Sequence, residues 1–269
     1  MLTLTLRAPS PIPLELDGVT PDRIHAMSAA EVARLPVAHG NRSEPLGEFF
    51  DAAGSPADGN LTIRGDLRTV KSIGAGMTGG RLFADGAGMH AGARMTGGEL
   101  TIEGDAGDWV GAEMTGGAIT VRGNAGDQAG AAYRGSRRGM TGGTIFVHGS
   151  AGDELGLLMR RGLIAVKGAC GEFAGASMIA GSVFVFGKAG NRLGAGMKRG
   201  TILAAGGVEE LPPSFRYSCD YLPTFLAVYL RHLDMQGFTD DRVRLDRVRC
   251  YRGDLLTGGR GEVLVVPGN

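Results

Sequence analysis

Short stretches in which apolar and polar residues strictly alternate recur along the middle of the chain. Leu61/Ile63, Leu100/Ile102, Ile119/Val121, Ile145/Val147, Ile164/Val166 and Val183/Val185 are each spaced two apart, the period of a strand with one buried face. After each pair, glycines fall every three or four residues, a density that no helix interior tolerates. The alternation therefore predicts many short strands joined by glycine turns.

The strands belong to a repeat. The word M-T-G-G begins at Met77, Met95, Met114 and Met140, and degenerate copies begin at Met159, Met178 and Met197. Successive spacings are 18, 19, 26, 19, 19 and 19 residues, and the surplus seven fall in the stretch Tyr133–Gly139. A second word, G-x-x-G-x-x-x-G, keeps the same phase from Gly104/Gly107/Gly111 to Gly187/Gly190/Gly194. A fixed period of this size means stacked units, each burying its apolar side against the next. Three short strands fit into 19 residues, whereas a helix–strand unit fits poorly. The expected fold is all-β: a right-handed parallel β-helix, the hand taken from the general preference of parallel crossovers. Roughly eight coils stacked ~4.8 Å apart make a rod of about 38 Å.

The repeat predicts columns. The seven methionines stack inside, and Ala106, Ala125, Ala151, Cys170 and Ala189 form a small-residue column. Cys170 thus reads as a small buried hydrophobe. Asp108, Asp127, Asp153, Glu172 and Asn191 form a polar column after a glycine, best read as turn side chains accepting backbone N–H bonds. The calcium-binding nonapeptide G-G-x-G-x-D is absent.

Residues 1–58 read as an N-terminal cap, 59–207 as the β-helix and 208–269 as a C-terminal cap, since a solenoid needs closed ends. Thr20-Pro21 and Ser28-Ala-Ala-Glu31 predict two short helices, the first with proline at N1 and the second with a capping box. An amphipathic helix is expected over 221–236, with Leu222, Phe225, Leu226, Tyr229, Leu230 and Leu233 on its apolar side. Strands are expected at about 242–251 and 262–266.

Composition narrows the chemistry. The 48 glycines among 269 residues suit a turn-rich repeat, and 43% hydrophobic content excludes ordinary disorder. Zero formal net charge gives no generic attraction to nucleic acid or membrane. Cys170, Cys219 and Cys250 show neither zinc spacing nor C-x-x-C, and Met1–Pro13 lacks a signal-peptide pattern, so the expected location is the cytoplasm. His25, His39, His90, His148 and His232 show no metal spacing, and no P-loop, G-x-S-x-G or H-E-x-x-H is present. The outward strand positions offer no carboxylate pair placed for glycoside hydrolysis. No catalytic, cofactor-binding or metal residue is expected in this chain.

Two surface features read as contact sites. Phe146, Phe184, Phe186 and Leu203 occupy outward positions and form an apolar stripe, to be covered by the chain's own helix or by a partner subunit. Arg160, Arg161, Lys198 and Arg199 replace the T-G of the M-T-G-G turn, and Arg134, Arg137 and Arg138 lie in the insertion. This basic edge is suited to an acidic partner surface or a polyanionic carrier tail, or is simply solvated.

The paired glycine words resemble the repeat domain shared by the C-terminal part of glutamate synthase large subunits and the C subunit of formylmethanofuran dehydrogenase. Gly40-Asn-Arg42, Pro45–Phe50, Tyr251–Asp254 and Gly259–Glu262 resemble the flanks of that C subunit, and 269 residues leave no room for the other glutamate synthase domains. The resemblance implies a structural subunit in a complex of one-carbon metabolism, with the chemistry in other subunits. One version is a formyltransferase/hydrolase complex, moving a formyl group from tetrahydromethanopterin to a methanofuran-like carrier and releasing formate. The other is the tungsten or molybdenum formylmethanofuran dehydrogenase. Implied partners are amidohydrolase-like, pterin-dehydrogenase-like and formyltransferase subunits. Four Lys against 24 Arg points to a GC-rich bacterial genome and hence to the hydrolytic version. An independent β-helix enzyme or a free-standing glutamate-synthase-type module are the remaining alternatives.

Overall fold

The structure is a computed structural model that describes residues 1–238 and 247–267. The chain opens with β1 (Leu2–Leu6), β2 (Leu14–Glu15), helices α1 (Pro21–Ile24) and α2 (Ala29–Val32), β3 (Pro36–His39), β4 (Arg42–Pro45) and β5 (Phe50–Gly54). The repeat supplies β6 (Asn60–Arg64), β7 (Val70–Lys71), β8 (Arg81–Ala84), β9 (Glu99–Ile102), β10 (Ala118–Val121), β11 (Thr144–Val147), β12 (Leu163–Val166), β13 (Ser182–Val185) and β14 (Arg199–Ala204). Then come β15 (Arg216–Tyr221), α3 (Leu226–Met235), β16 (Val248–Gly253) and β17 (Arg260–Val265).

These strands make a parallel β-helix. A 13-stranded sheet runs β15-β16-β17-β14-β13-β12-β11-β10-β9-β8-β6-β1-β5, parallel throughout from β1 to β17. Equivalent repeat positions are in register: Leu82 lies beside Leu100, Leu100 beside Ile119, and Ile119 beside Ile145. A slip of one residue would turn this aliphatic row outward, so the alternation itself fixes the register. The seven repeat methionines are fully buried inside. On the second side of each coil, Ala87, Ala106, Ala125, Ala151, Cys170, Ala189 and Val208 form a column of single parallel bridges.

From β8 to β13 each coil therefore has one four-residue strand and one bridge residue, not the three strands expected. The third side is a chain of tight turns. Trp109, Gly111 and Glu113 all have positive φ (59°, 61° and 56°), a conformation no strand adopts. A Cβ on Gly111 would stand 2.6 Å from Ile145 Cδ1, so glycine holds this slot for space as well as for φ. The neighbouring positive-φ slots bear large side chains and form the wall described below.

The terminal segments do more than cap. β1 adds a parallel rung beside β6, and β5 closes that end antiparallel to β1. β17 adds a rung beside β14. Both short helices form as expected, with the Ser28–Glu31 capping box complete. A second sheet, β4-β3-β2-β7, ties the N-terminal segment to the first coils.

Helix α3 is shorter than the apolar pattern suggested. Tyr221 pairs with Val248 as the end of β15 and Pro223 follows, so helix begins only at Leu226, leaving Leu222 and Phe225 exposed. Strand β16 is described from Val248, and the expected 242–246 portion lies outside the described residues.

Candidate functional site

The apolar stripe is settled by burial. Phe146, Phe184, Phe186 and Leu203 are at most 2% exposed, packed with Leu226, Leu233 and Phe238. Ring centroids are 5.1 Å apart for Phe184–Tyr229, 5.6 Å for Phe146–Phe238 and 5.7 Å for Phe186–Phe238. The expectation of a partner contact at these four residues is corrected: the chain's own α3 region covers them, as the other reading of the stripe held.

The basic residues separate into two groups. Arg160–Arg161 and Lys198–Arg199 follow Met159 and Met197 at the same corner, two coils apart, and all four are exposed. Roughly 10 Å of stacking separates the two pairs. Arg134, Arg137 and Arg138 are exposed on the seven-residue loop, which leaves the coil after Ala132 and returns at Met140. None of the seven forms an ion pair among the described residues.

The loop has a second role that sequence reasoning missed. Its first residue, Tyr133, folds back against earlier coils, where its hydroxyl lies 3.0 Å from His90 Nδ1. His90 stacks on Trp109 with centroids 5.2 Å apart, and the Arg94 guanidinium sits 5.2 Å over the Tyr133 ring. Arg94 also pairs with Glu113 at 3.1 Å, and Glu113 Oε1 accepts the Tyr133 N–H at 3.3 Å. His90, Arg94, Trp109 and Glu113 all occupy positive-φ slots, which aim their side chains away from the packed interior. His90, Arg94 and Tyr133, together with Glu15, Asp17 and Arg23 of the N-terminal segment and Ser72, line an open cavity of about 610 Å³ whose lining also includes Ala75, Gly76 and Ala93. The available signal was positional: the column His90, Trp109, Gln128, Glu154, Phe173 and Arg192 differs in every coil, and Tyr133 lies in the insertion.

Two titratable groups of this cavity are shifted. Burial first, then the charge of Lys71, pushes the His90 pKa below its ordinary value, so the ring is neutral near pH 7. Burial pushes the Tyr133 phenol up. A neutral imidazole beside an un-ionised phenol can donate and accept hydrogen bonds.

The other titratable columns are occupied structurally. Asp108 Oδ1 accepts the Asp127 N–H at 2.9 Å, Asp127 Oδ1 accepts that of Asp153 at 2.8 Å, and Asp153 Oδ1 that of Glu172 at 2.8 Å. Each carboxylate is thus spent on the next coil. Among the described residues, no group of three or more His, Cys, Asp or Glu could hold a metal ion. Burial pushes the Cys170 thiol up to about 11, which keeps it protonated. No helix among the described residues is long and apolar enough to cross a membrane.

Comparison with known proteins agrees with this architecture. Residues 87–212 match the family described as the GXGXG motif. The chain is 44% identical over 84 residues to the C subunit of molybdenum-containing formylmethanofuran dehydrogenase 1 of Methanosarcina barkeri, covering 29% of this chain and 28% of the relative. It is 40% identical over 97 residues to the C subunit of tungsten-containing formylmethanofuran dehydrogenase 2 of Methanothermobacter thermautotrophicus, covering 34% and 36%. The matched segment therefore spans only about a third or less of these curated relatives. The structural likeness extends end to end. A chain of the formyltransferase/hydrolase complex from Methylorubrum extorquens, crystallised with methylofuran, superposes with a TM-score of 0.91 at 35% identity, over 98% of both chains. On this full-length likeness, the chain belongs to the family of formylmethanofuran dehydrogenase C subunits, in the branch represented by the formyltransferase/hydrolase complex.

Proposed function

We propose that this chain is the β-helical scaffold subunit of a cytoplasmic formyltransferase/hydrolase complex, and that it holds catalytic subunits in register without itself performing chemistry. The observation that carries this reading is the end-to-end match, caps included, to a chain of such a complex. The chain's own chemistry agrees: its column carboxylates accept backbone bonds, and its interior is aliphatic and methionine-rich. A rigid, in-register rod presents side chains at fixed intervals, which suits a part that positions others.

In this role the complex passes a formyl group from tetrahydromethanopterin to a methanofuran-like carrier and releases formate. Amidohydrolase-like, pterin-dehydrogenase-like and formyltransferase subunits supply the active sites. The exposed corner at Arg160, Arg161, Lys198 and Arg199, with the loop residues Arg134, Arg137 and Arg138, faces an acidic subunit surface or the carrier's polyanionic tail. Unpaired arginines suit carboxylate recognition because the guanidinium binds it through two hydrogen bonds. The second reading, a tungsten or molybdenum formylmethanofuran dehydrogenase, draws on the repeat-region identity to the C subunits of those enzymes.

An affinity-tagged chain recovered from its source tests the proposal. The expected result is co-purification with formyltransferase and amidohydrolase subunits, and formate release from the formylated carrier without tungsten or molybdenum. The isolated chain is expected to be inactive. Recovery alone, or turnover by the isolated chain, rejects the scaffold role. A copurifying tungsten or molybdenum protein selects the second reading.

A further inference from the structure

Beyond the last coil the sheet continues as an overhang. β17 pairs with β16 and β16 with β15, both antiparallel, so β15 is the terminal strand. One row across this overhang is Ile202–Val263–Tyr251–Tyr217. Ile202 and Val263 are buried, but Tyr217 is 57% exposed. Phe215 fills the space against Gly194 and Gly253, which closes the interior before β15 is reached. The other face carries the row Thr201–Glu262–Arg252–Arg216. There Glu262 accepts from Thr201 at 2.7 Å and pairs with Arg252 at 3.2 Å, while Arg216 has no ion pair among the described residues.

The two ends of the sheet are finished differently. The opposite terminal strand, β5, lies against α2. Arg216 to Asp220 of β15 are all exposed, and the strand's outer edge has no hydrogen-bonded strand among the described residues. Six residues present about 20 Å of unpaired N–H and C=O groups. Folded proteins blunt such edges with proline, lysine, shortness or cover. β15 has no proline or lysine and no covering strand among the described residues, and its only such features are the charges of Arg216 and Asp220 and one irregularity between Tyr217 and Cys219.

We propose that the outer edge of β15 is a strand-addition site for an extended, carboxylate-bearing segment of another subunit. Backbone bonds to the edge supply affinity, Tyr217 supplies an apolar anchor, and a carboxylate opposite Arg216 answers its unpaired charge. A second copy of this chain is the weaker occupant. Two six-residue edges alone bury well short of the roughly 1,000 Å² that a stable interface needs. A different subunit reaches that area by engaging neighbouring surface as well. The inference rests on the reading of the chain as part of a multisubunit complex.

Cys219 is an exposed thiol on this strand, and Cys170 and Cys250 are buried, so one reagent reads the edge against internal controls. N-ethylmaleimide is applied to the purified complex and to the full chain alone, followed by peptide mapping. In the complex, Cys219 is expected to react at least about tenfold more slowly, as strand pairing is closed most of the time. Equal reactivity in an intact complex overturns the edge site and leaves the scaffold role standing. Cys219 protection in the chain alone, together with a dimeric mass, assigns the edge to a second copy and also overturns it. As an independent check, the double variant Arg216→Glu/Ser218→Lys is expected to keep its melting temperature while losing most partner recovery. Unchanged recovery overturns the proposal. Failure to find any complex overturns both readings.

Discussion

The sheet's outward surface is two surfaces on one scaffold. In β11 to β14 the outward column reads Phe146, Ala165, Phe184 and Leu203, all essentially buried beneath the α3 region. In β8 to β10 the same column reads Phe83, Thr101 and Thr120, and all three are at least partly exposed. The inward rows do not change across this boundary, where Leu, Ile and Val are buried throughout. The interior therefore reports the fold, and the exterior reports what lies on it. Where the chain supplies a cover the outward residues are apolar, and three of the four are large. Where it does not, threonines appear at Thr101 and Thr120, although Phe83 stays apolar and exposed.

The sharpest way to break this comparison is to truncate one residue on each side of the boundary. Phe184→Ala is expected to cost about 3–5 kcal/mol, the usual range for emptying a buried phenylalanine site. Thr120→Ala, on the same column but open, is expected to stay within about 0.5 kcal/mol. Urea unfolding of the two variants measures both. A small loss at Phe184 would mean that α3 is only loosely seated.

The turn side tests whether positive φ or space is decisive. Trp109 and Gly111 share the same φ region, yet only Gly111 has an aliphatic wall against it, with Ile145 Cδ1 2.6 Å from where a Cβ would stand. Gly111→Ala is expected to destabilise by about 1–3 kcal/mol through strain and overpacking. Trp109→Gly relieves backbone strain while losing the His90 stack, and is expected to lie much nearer neutral. Equal losses would show that conformation alone sets the cost.

A smaller effect is expected in the carboxylate ladder. Asp127→Ala removes the acceptor for the Asp153 N–H and is expected to cost about 1 kcal/mol, the net worth of one hydrogen bond. Asp127→Asn keeps a carbonyl acceptor in the same place and is expected to retain most of that stability. If Asn were as damaging as Ala, the charge and not the hydrogen bond would be the contribution.

These contrasts explain what was legible in the sequence. The repeat fixed every inward column, because burial and register impose the same residue class in each coil, as Met77 through Met197 and Leu61 through Ile202 demonstrate. The polar column at Asp108, Asp127 and Asp153 was equally readable, since each coil repeats one bond. The turn side was not: positive φ at Trp109 or Glu113 leaves no trace in hydropathy, so three strands were expected where one strand, one bridge and turns exist. The cavity around Tyr133 and His90 was hidden because it joins an insertion, two coils and the N-terminal segment, which no period connects. β15 escaped notice because an exposed edge strand buries too little for alternation to show.

The finest test contrasts one histidine from each half. His90 lies beside the open cavity, and His148 lies under Phe238 with centroids 5.0 Å apart. Burial is the leading cause of a lowered pKa at both, joined by Lys71 at His90 and by Arg122 and Lys167 at His148. In the unfolded chain each ring takes its proton near the ordinary value of 6.5. Below that pH the unfolded state therefore binds more protons than the folded state, and stability falls. Above it both rings are neutral in both states and the contribution is flat. Stability is expected to decline as pH drops below 6.5, levelling only once the folded rings also protonate. His90→Asn, which keeps a residue tolerant of positive φ, is expected to make that decline shallower, on top of a pH-independent loss of about 1 kcal/mol for the Trp109 stack and the Tyr133 hydrogen bond. His148→Gln is expected to flatten the slope too, also with a loss at every pH because the Phe238 contact goes with it. Parallel pH profiles for wild type and His90→Asn would mean that the cavity admits water freely enough to solvate a charged ring.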